Sequence, residues 1–276
     1  MPYCSVSDVR RALGTYGISP PLSDTDILAF ITSAQEYINS RTGTVYWSIE
    51  DSGTASAGGS GTLTDSSKSW TTNQYENYTL WIYSGTGSGQ YRQISSNTGT
   101  ILSVLTNFST TPDNTSKYKI FPPSYLDITI DGSGKDSQMF GYYPIRNINS
   151  LSVDGVSVTP STLLIYEDVG LIQLTTSSNA SYFSNRAGKL VNIKYFYGVY
   201  PAPTTLVRYA SLIASMNVLT ALMGNRVLMY NSITLPELSA TQGEPHIRIK
   251  GVMDALQTEI DKYELLFRRN PYLVVG

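Results

Sequence analysis

The side chains best suited to catalysis are few and far apart in this sequence. His246 is the single histidine and Cys4 the single cysteine, which excludes a Cys/His zinc site and a disulfide within one chain. His246 follows Pro245 at the expected start of a helix, where a capping or surface imidazole is more common than a catalytic one. Cys4 has no basic residue nearer than Arg10, which is typical of an inert thiol. We therefore predict no pair of nucleophile and base.

The segment Gly85–Gln90 has the glycine content of a phosphate-binding loop. It lacks the spacing of a dinucleotide fingerprint and the Lys-Ser/Thr of a P-loop. It is also expected between two strands, whereas a phosphate cradle opens a helix. The pattern therefore favours a glycine-rich turn.

The acidic residues are the last candidates for chemistry. Asp127, Asp131 and Asp136 could line a calcium-like loop, but they lack the ligand periodicity of an EF-hand. Glu167 and Asp168 lie in an apparent turn, where acids are usually solvated. The sequence thus predicts no catalytic residues, no metal site, no cofactor and no enzyme activity.

Composition points to contact with other proteins. Charged residues are only 14% of the chain, against roughly 25% in typical soluble domains. Tyrosines number 21 and phenylalanines 7, and tyrosine is enriched at protein interfaces. The net charge of −2 gives no general attraction to nucleic acid or anionic membranes. We see no signal peptide and expect no membrane span, because polar residues interrupt the apolar stretch 206–223.

Four helices are predicted, two at each end of the chain. The helices expected at 5–14 and 23–43 each begin with a serine followed three residues later by an aspartate, a capping signal. A helix at 204–224 is apolar on most sides, so we expect it to be buried. A helix from about 245 to 269 is amphipathic, and an apolar tail, 270–276, follows it.

Two β regions are predicted between these helices. In residues 51–120, 34 of 70 residues are Ser, Thr or Gly and eight are charged, with short β-type runs between Gly and Asn turns. Residues 125–197 predict an antiparallel sheet, in which Asp154-Gly155 favours a hairpin. The predicted fold class is therefore α+β. It has a body (1–50 and 121–276) of four helices and an antiparallel sheet, with the C-terminal tail 270–276, and an inserted all-β module (51–120).

Three segments and the order of the elements carry a resemblance to a known family. The segments are Tyr143–Gly155, Gly170–Leu174 and Val191–Gly198, preceded by the N-terminal helices with Ser7-Asp8-Val9 and Leu13-Gly14. Together they resemble the head–tail adaptor (connector) proteins of long-tailed phages. The resemblance covers about residues 1–50 and 125–225, and its motifs are patterns of strand and turn. The module 51–120 and the residues after Leu235 depart from the minimal family pattern.

The resemblance implies a virion structural protein without enzyme activity. Adaptors of this family form a closed, dodecameric ring beneath the portal, extend the channel through which DNA leaves, and join the capsid to the tail. The implied partners are the portal protein, other copies of the chain, and a downstream neck or tail protein. DNA would pass without sequence-specific binding, and no membrane is implied. The implied location is the virion neck, after synthesis in the host cytoplasm.

Two sets of residues are candidate contacts in such an assembly. The C-terminal residues are the candidate portal-docking peptide, and a tail folded back on its own subunit is the equal alternative. The basic residues that could face DNA are Arg10, Arg11, Arg186, Lys189 and Lys194, although solvated surface charge is the more common role. The portal-docking candidates are Arg268, Arg269, Pro271, Tyr272, Leu273, Val274 and Val275.

A different class of function also stays open. The module 51–120 could belong to a carbohydrate-binding or adhesion protein of a virion. Its aromatic residues could stack on sugars, although aromatic residues in the core of a β-structure are commoner. The candidates are Tyr75, Tyr78, Trp81, Tyr83 and Tyr91.

Overall fold

The computed structural model describes residues 2–185, 188, 190–224 and 245–269. These residues group into two compact units. One unit is Gly43–Pro201, and the other combines Pro2–Thr42 with the described residues from Ala202 onward. The described residues contain fourteen strands, four α-helices and two 3-10 turns.

Four helices make up the described part of the unit formed by the two ends of the chain. The central helix, α3, is buried along most of its length and packs against the other three. Its apolar window Leu206–Met223 is long enough to cross a membrane by length and composition, but 61% of it is buried inside the protein, as in the core helix of a globular domain. The helices are α1 (Val6–Gly14), α2 (Asp24–Thr42), α3 (Leu206–Gly224) and α4 (Pro245–Arg269).

Local polar contacts fix the ends and the packing of these helices. The hydroxyl oxygen of Ser5 accepts from the backbone N–H of Asp8, whose carboxylate accepts from the N–H of Ser5 at 2.9 Å. This capping box satisfies two N–H groups at the start of α1. Arg208 on α3 donates to both carboxylate oxygens of Glu259 on α4, at 2.9 and 2.8 Å. The bidentate pair links α3 to α4.

Seven strands form the first sheet of the β unit, in the order β1-β7-β4-β5-β6-β3-β2. Only Ala55 and Ser56 separate β1 from β2, and their N–H groups bond to Ser116 and Thr64 on opposite sides. The two ends of the strand order therefore meet, and the sheet closes into a barrel. Its strands are β1 (Asp51–Thr54), β2 (Ala57–Gly59), β3 (Thr62–Thr64), β4 (Thr79–Ser84), β5 (Tyr91–Asn97), β6 (Ile101–Val104) and β7 (Lys117–Phe121).

Two smaller antiparallel sheets complete the β unit and share one hydrophobic core, to which Leu151, Ile172 and Ile193 belong. The four-stranded sheet has the order β11-β10-β14-β8, and the three-stranded sheet has the order β12-β13-β9. Their strands are β8 (Tyr125–Ile130), β9 (Ser137–Met139), β10 (Ile145–Val153), β11 (Val156–Val158), β12 (Leu163–Tyr166), β13 (Leu171–Leu174) and β14 (Val191–Tyr197).

The predicted fold class, an α+β protein with a helical adaptor body, is wrong. Residues 125–197 were predicted as one antiparallel sheet added to that body, but their described part forms two antiparallel sheets, and β-structure rather than helices makes up most of the described chain. Three antiparallel sheets thus account for the whole larger unit, Gly43–Pro201. The error has a physical cause: helical periodicity is strong in this sequence, whereas three-residue strands such as Ala57–Gly59 carry almost no apolar alternation.

Candidate functional site

Of the two residues considered as nucleophile and base, only Cys4 has a described side chain. Cys4 is buried, and burial together with the negative charge of Asp8 raises the pKa of its thiol to about 12. The thiol is therefore protonated at neutral pH and unreactive. The side chain of His246 lies outside the described residues. Among the residues that the structure describes, no three His, Cys, Asp or Glu side chains are grouped so as to hold a metal ion.

The glycine-rich segment Gly85–Gln90 is the loop between β4 and β5. Gly85, Gly87 and Gly89 have φ values of 78°, 79° and 88°, a left-handed conformation that glycine adopts at little cost. A Cβ on Gly85 would also come within 2.0 Å of the carbonyl oxygen of Thr115. The glycines are thus required by backbone geometry and close packing.

Gln90 anchors this loop through its side-chain amide. Its Nε2 donates to the carbonyl oxygens of Gly87 and Thr110, at 3.0 and 2.8 Å. Its Oε1 accepts from the N–H and the hydroxyl of Ser109, at 2.8 and 2.9 Å, and from Arg92 at 3.0 Å. One amide therefore holds the loop against the segment after β6, and the motif is structural.

Arg92 is a buried arginine that was not predicted from the sequence. It is 8% exposed, and its guanidinium donates to the carbonyl oxygens of Asn107 (3.0 Å) and Tyr91 (2.7 Å). It also lies over the ring of Phe108, at 5.5 Å from the ring centre, and burial lowers its pKa. Arg92 is two residues from the buried Ile94 on β5, so strand alternation would have placed it on the inner face.

Two carboxylates in the barrel act as ionised acceptors. Asp51 accepts from Lys68 Nζ and from the indole N–H of Trp70, both at 2.6 Å. Asp65 accepts from the hydroxyl of Tyr118 at 2.8 Å. Burial alone would raise the pKa of each carboxyl, but hydrogen bonds to the charged form outweigh it and hold both pKa values below their usual level. These acids stabilise the barrel.

Two of the carboxylates considered for a calcium-like loop, Asp127 and Asp136, have separate partners. Asp127 on β8 pairs with Lys194, directly opposite on β14, at 2.8 Å. Asp136 accepts from the side-chain amide of Gln173 at 3.0 Å. They belong to no cluster of potential metal ligands in the described part of the chain.

The five aromatic residues considered for sugar stacking lie in two different places. Tyr75 is 6% exposed inside the barrel, and Tyr78 packs against the same core. Trp81 and Tyr91 stack on each other outside the barrel core, with ring centres 5.5 Å apart and an interplanar angle of 3°. Only Tyr83 is exposed, at 37%. The structure therefore does not bring these residues together as one platform.

A lysine already occupies the exposed aromatic edge. The ammonium group of Lys119 lies 5.7, 4.7 and 4.5 Å from the ring centres of Trp81, Tyr83 and Tyr200. It also donates to the hydroxyl of Tyr200 at 3.0 Å. Since cation–π contacts cover one face of each ring, a sugar would have to displace Lys119 to stack there.

The basic residues considered for a DNA channel are engaged with acids where they are described. Arg10 donates to Asp24 at 2.7 Å, and Arg11 lies 3.4 Å from Asp8. Lys194 is paired on β14, as described above. Arg186 and Lys189 lie outside the described residues.

A cavity of about 340 Å³ in the helical unit is lined by residues of α1 and α3 and by the turn before α3. Its two arginines face the carboxylates of Asp8 and Glu259, so their charge is already neutralised. The cavity is therefore a poor anion site. Its lining residues are Asp8, Arg11, Ala12, Thr204, Val207, Arg208 and Ser211.

The candidate portal-docking peptide lies almost entirely beyond the described chain. Arg268 and Arg269 are the last residues of α4, and their side chains are not among the described ones. Pro271, Tyr272, Leu273, Val274 and Val275 lie outside the described residues. Their role in docking stays a prediction.

Comparison with known proteins adds no family. No protein-family model matches this chain, and no curated protein matches it. Most of the polar candidate residues discussed above bond to other residues of their own unit, and exposed apolar side chains are the strongest remaining indication of function.

Proposed function

We propose that this chain is a virion structural protein, a head–tail adaptor that forms a ring beneath the portal and extends the DNA channel. The observation that carries the proposal is the position of the segments that resemble the adaptor family. Two of them, Tyr143–Gly155 and Val191–Gly198, contain β10 and β14, which pair along their length from Ile145 opposite Tyr197 to Val153 opposite Val191. The third contains β13, which shares the same hydrophobic core.

The surface chemistry supports an assembly subunit. A subunit in a closed ring uses two different surfaces, one for each neighbour, and adds further contacts above and below. Exposed apolar side chains are present in both units, for example Leu265 and Leu266 at 51% each on α4 and Met139 at 65% on β9. Together with the charge content of 14%, this favours a chain that covers much of its surface with other proteins.

The proposal is tested by locating the chain in virions. A small epitope inserted at the β2–β3 turn, at Ser60, would be labelled with antibody and viewed by negative-stain microscopy. Label at the neck is the expected result. Label at the tail tip or on the capsid surface contradicts the proposal.

Portal binding gives a second, biochemical test. We expect the purified chain to bind preformed portal rings with a fixed number of copies per ring, measured by sedimentation and mass photometry. Lack of binding to portal rings at micromolar concentrations of both proteins contradicts the proposal.

The carbohydrate-binding alternative has one observation in its favour, the exposed ring of Tyr83 beside Lys119. If it holds, a glycan array probed with the whole chain shows binding that Tyr83→Ala removes. An array without binding leaves the adaptor proposal as the better explanation.

A further inference from the structure

The three-stranded sheet has one face in the core and one apolar face in solvent. Ile172 and Leu174 of β13 point into the core, so Leu171 and Gln173 point outward. The register places Tyr166, Leu171 and Met139 in one outward row across the three strands. Leu164, Gln173 and Ser137 form the second row. We call these six residues the outer face.

The outer face is exposed where a soluble sheet usually carries polar residues. Met139 is 65% exposed, Leu164 46% and Tyr166 45%, and Val169, in the turn after β12, is 50% exposed. A cluster of large apolar side chains on one small sheet is typical of a binding surface. β12 and β9 are the outermost strands of this sheet, and no further strand pairs with either among the described residues. An edge strand beside an apolar face is a template for an added strand.

The charges around the outer face are mostly negative. Glu167 and Asp168 are exposed in the turn that joins β12 to β13, and Asp136 is exposed just before β9. Two cations lie nearby: Arg146 is 3.9 Å from Glu167, and Lys135 precedes Asp136. The occupant of this surface is therefore expected to combine apolar, β-forming residues with positive charge.

We propose that the C-terminal segment of a second copy of this chain, residues 268–276, binds the outer face and pairs with β12. This segment has the composition that the surface requires. Arg268 and Arg269 supply two positive charges, and Tyr-Leu-Val-Val at 272–275 is a run of β-forming residues. Four residues in extended conformation span about 13 Å, the same length as the four residues of β12.

Pairing with β12 would give both the apolar residues and the arginines of the segment a partner. Alternate side chains of the added strand would lie beside Leu164 and Tyr166 and cover the sides of these apolar groups that now face the edge of the sheet. The arginines would lie within reach of Glu167 and Asp168, at the end of β12. The segment then joins one copy to the next in a head-to-tail contact, the type of contact from which rings are built.

This inference does not depend on the proposed function, since it concerns the contact between copies and not the portal. A chain whose tail binds the outer face but which does not bind portal rings supports this inference and contradicts the adaptor proposal. A chain that binds portal rings through residues 268–276, with no binding of that segment to the outer face, does the reverse.

The test uses the chain without residues 270–276 as receptor and a fluorescent peptide of residues 266–276 as probe. We expect saturable binding by fluorescence anisotropy, and about tenfold weaker binding with Leu164→Lys or Tyr166→Ser, because each change removes a central apolar contact. Leu105→Lys, at a 62% exposed apolar residue of the barrel, is the matched control and should leave binding unchanged. Asp168→Lys should weaken binding at low salt and have a smaller effect at high salt.

Sedimentation velocity of the intact chain completes the test. We expect self-association that rises with concentration and is reduced by Leu164→Lys or by removal of residues 270–276. Peptide binding that is absent, or that Leu164→Lys and Tyr166→Ser leave unchanged, overturns the inference. An intact chain that stays monomeric while the truncated chain binds peptide would place the tail on its own copy, and it overturns the assignment to a second copy.

Discussion

Gln90 connects two loops of the barrel through both ends of one side-chain amide. Its Nε2 holds the carbonyl oxygen of Thr110, and its Oε1 accepts two bonds from Ser109. Gln90→Ala leaves these groups without their partners and should lower the free energy of unfolding by about 2–3 kcal/mol, measured by urea denaturation.

The control for this prediction is Gln93, a glutamine on β5 three residues after Gln90. Gln93 makes one side-chain bond, to Asn77 at 3.1 Å, at an exposed position. Gln93→Ala should therefore change the free energy of unfolding by less than about 0.5 kcal/mol. Equal losses from the two variants would show that the Gln90 network does not stabilise the loop.

Asp51 and Asp65 should make the stability of the barrel depend on pH in acid. Both carboxyl groups have pKa values below the ordinary 3.8 in the folded chain, because Lys68, Trp70, Ser67 and Tyr118 donate to their ionised forms. Their contribution to stability is therefore complete above the unfolded pKa and is lost as pH falls through the lower, folded pKa values. We expect the urea midpoint to be steady near neutral pH and to fall below about pH 4.

Asp51→Asn removes one of these carboxylates and so measures its share of the pH dependence. The variant should be less stable than the natural chain at pH 7, because Lys68 loses its ion pair, and the difference should shrink in acid. Urea melts between pH 2 and pH 7 measure both effects. A stability difference that is constant over this range would mean that the carboxylate of Asp51 is not held in its ionised form by folding.

At the scale of elements, Gly198 directly follows β14 and packs closely against Trp47, near the start of the β unit. Its φ is 142°, and a Cβ would come within 2.2 Å of the indole nitrogen of Trp47. Trp47 is 1% exposed and stacks on Phe121 with ring centres 4.6 Å apart, so the indole has no room to move. Gly198→Ala should therefore cost more than about 2 kcal/mol of unfolding free energy.

Gly141 provides the matched control for that prediction. It lies in the same unit, has no positive φ in this structure, and has nothing within 4 Å of the position that a Cβ would take. Gly141→Ala should leave thermal stability within about 0.5 kcal/mol of the natural chain. Similar losses at Gly141 and Gly198 would show that the close approach to Trp47 is not the cause.

Elements with a strong local signal were predictable from the sequence. The two Ser-x-x-Asp caps are confirmed. The hydroxyl group of Ser5 bonds to Asp8, and that of Ser23 bonds to Asp26. The Asp154-Gly155 hairpin is also confirmed, with both residues at positive φ. Such signals lie within a few residues of chain, so the sequence shows them directly.

Contacts between distant residues were not predictable in this way. Closure of the barrel depends on Ala55 and Ser56, two small residues whose bonds to Ser116 and Thr64 leave no pattern in the sequence. The outer face depends on the register of β12, β13 and β9, and β9 is only three residues long. Five aromatic residues between 75 and 91 were grouped by sequence, but Tyr75 and Tyr78, which precede β4, pack on the barrel core, whereas Trp81, Tyr83 and Tyr91 lie together on the outer side of β4 and β5.

For the whole molecule, both β regions were predicted, but the fold class was based on the helices and gave too little weight to the three antiparallel sheets. Ser-, Thr- and Gly-rich strands resemble linkers in composition, and the amphipathic helices at the two chain ends stand out by contrast. The helices do form a compact unit, but the β unit Gly43–Pro201 is larger and has its own hydrophobic clusters.

The module 51–120 has the features of a domain that folds by itself. The barrel closes within this segment, and its interior is lined by the module's own buried residues, such as Leu63, Ile82 and Ile120. We therefore expect residues 51–120, expressed alone, to fold with cooperative unfolding and dispersed amide NMR signals. A chain without cooperative unfolding would show that the barrel requires the rest of the unit.

The same experiment reports on the aromatic contacts outside the barrel. Removing the neighbouring chain takes Trp47 and Phe121 away from Trp81 and Tyr91, while Trp70 keeps its cover inside. Tryptophan emission from the isolated module should therefore shift to longer wavelength, and Trp70→Phe should leave that red-shifted component in place. Emission that stays blue-shifted in Trp70→Phe would mean that the barrel itself buries Trp81, so that the contacts with Trp47 and Phe121 do not account for its cover.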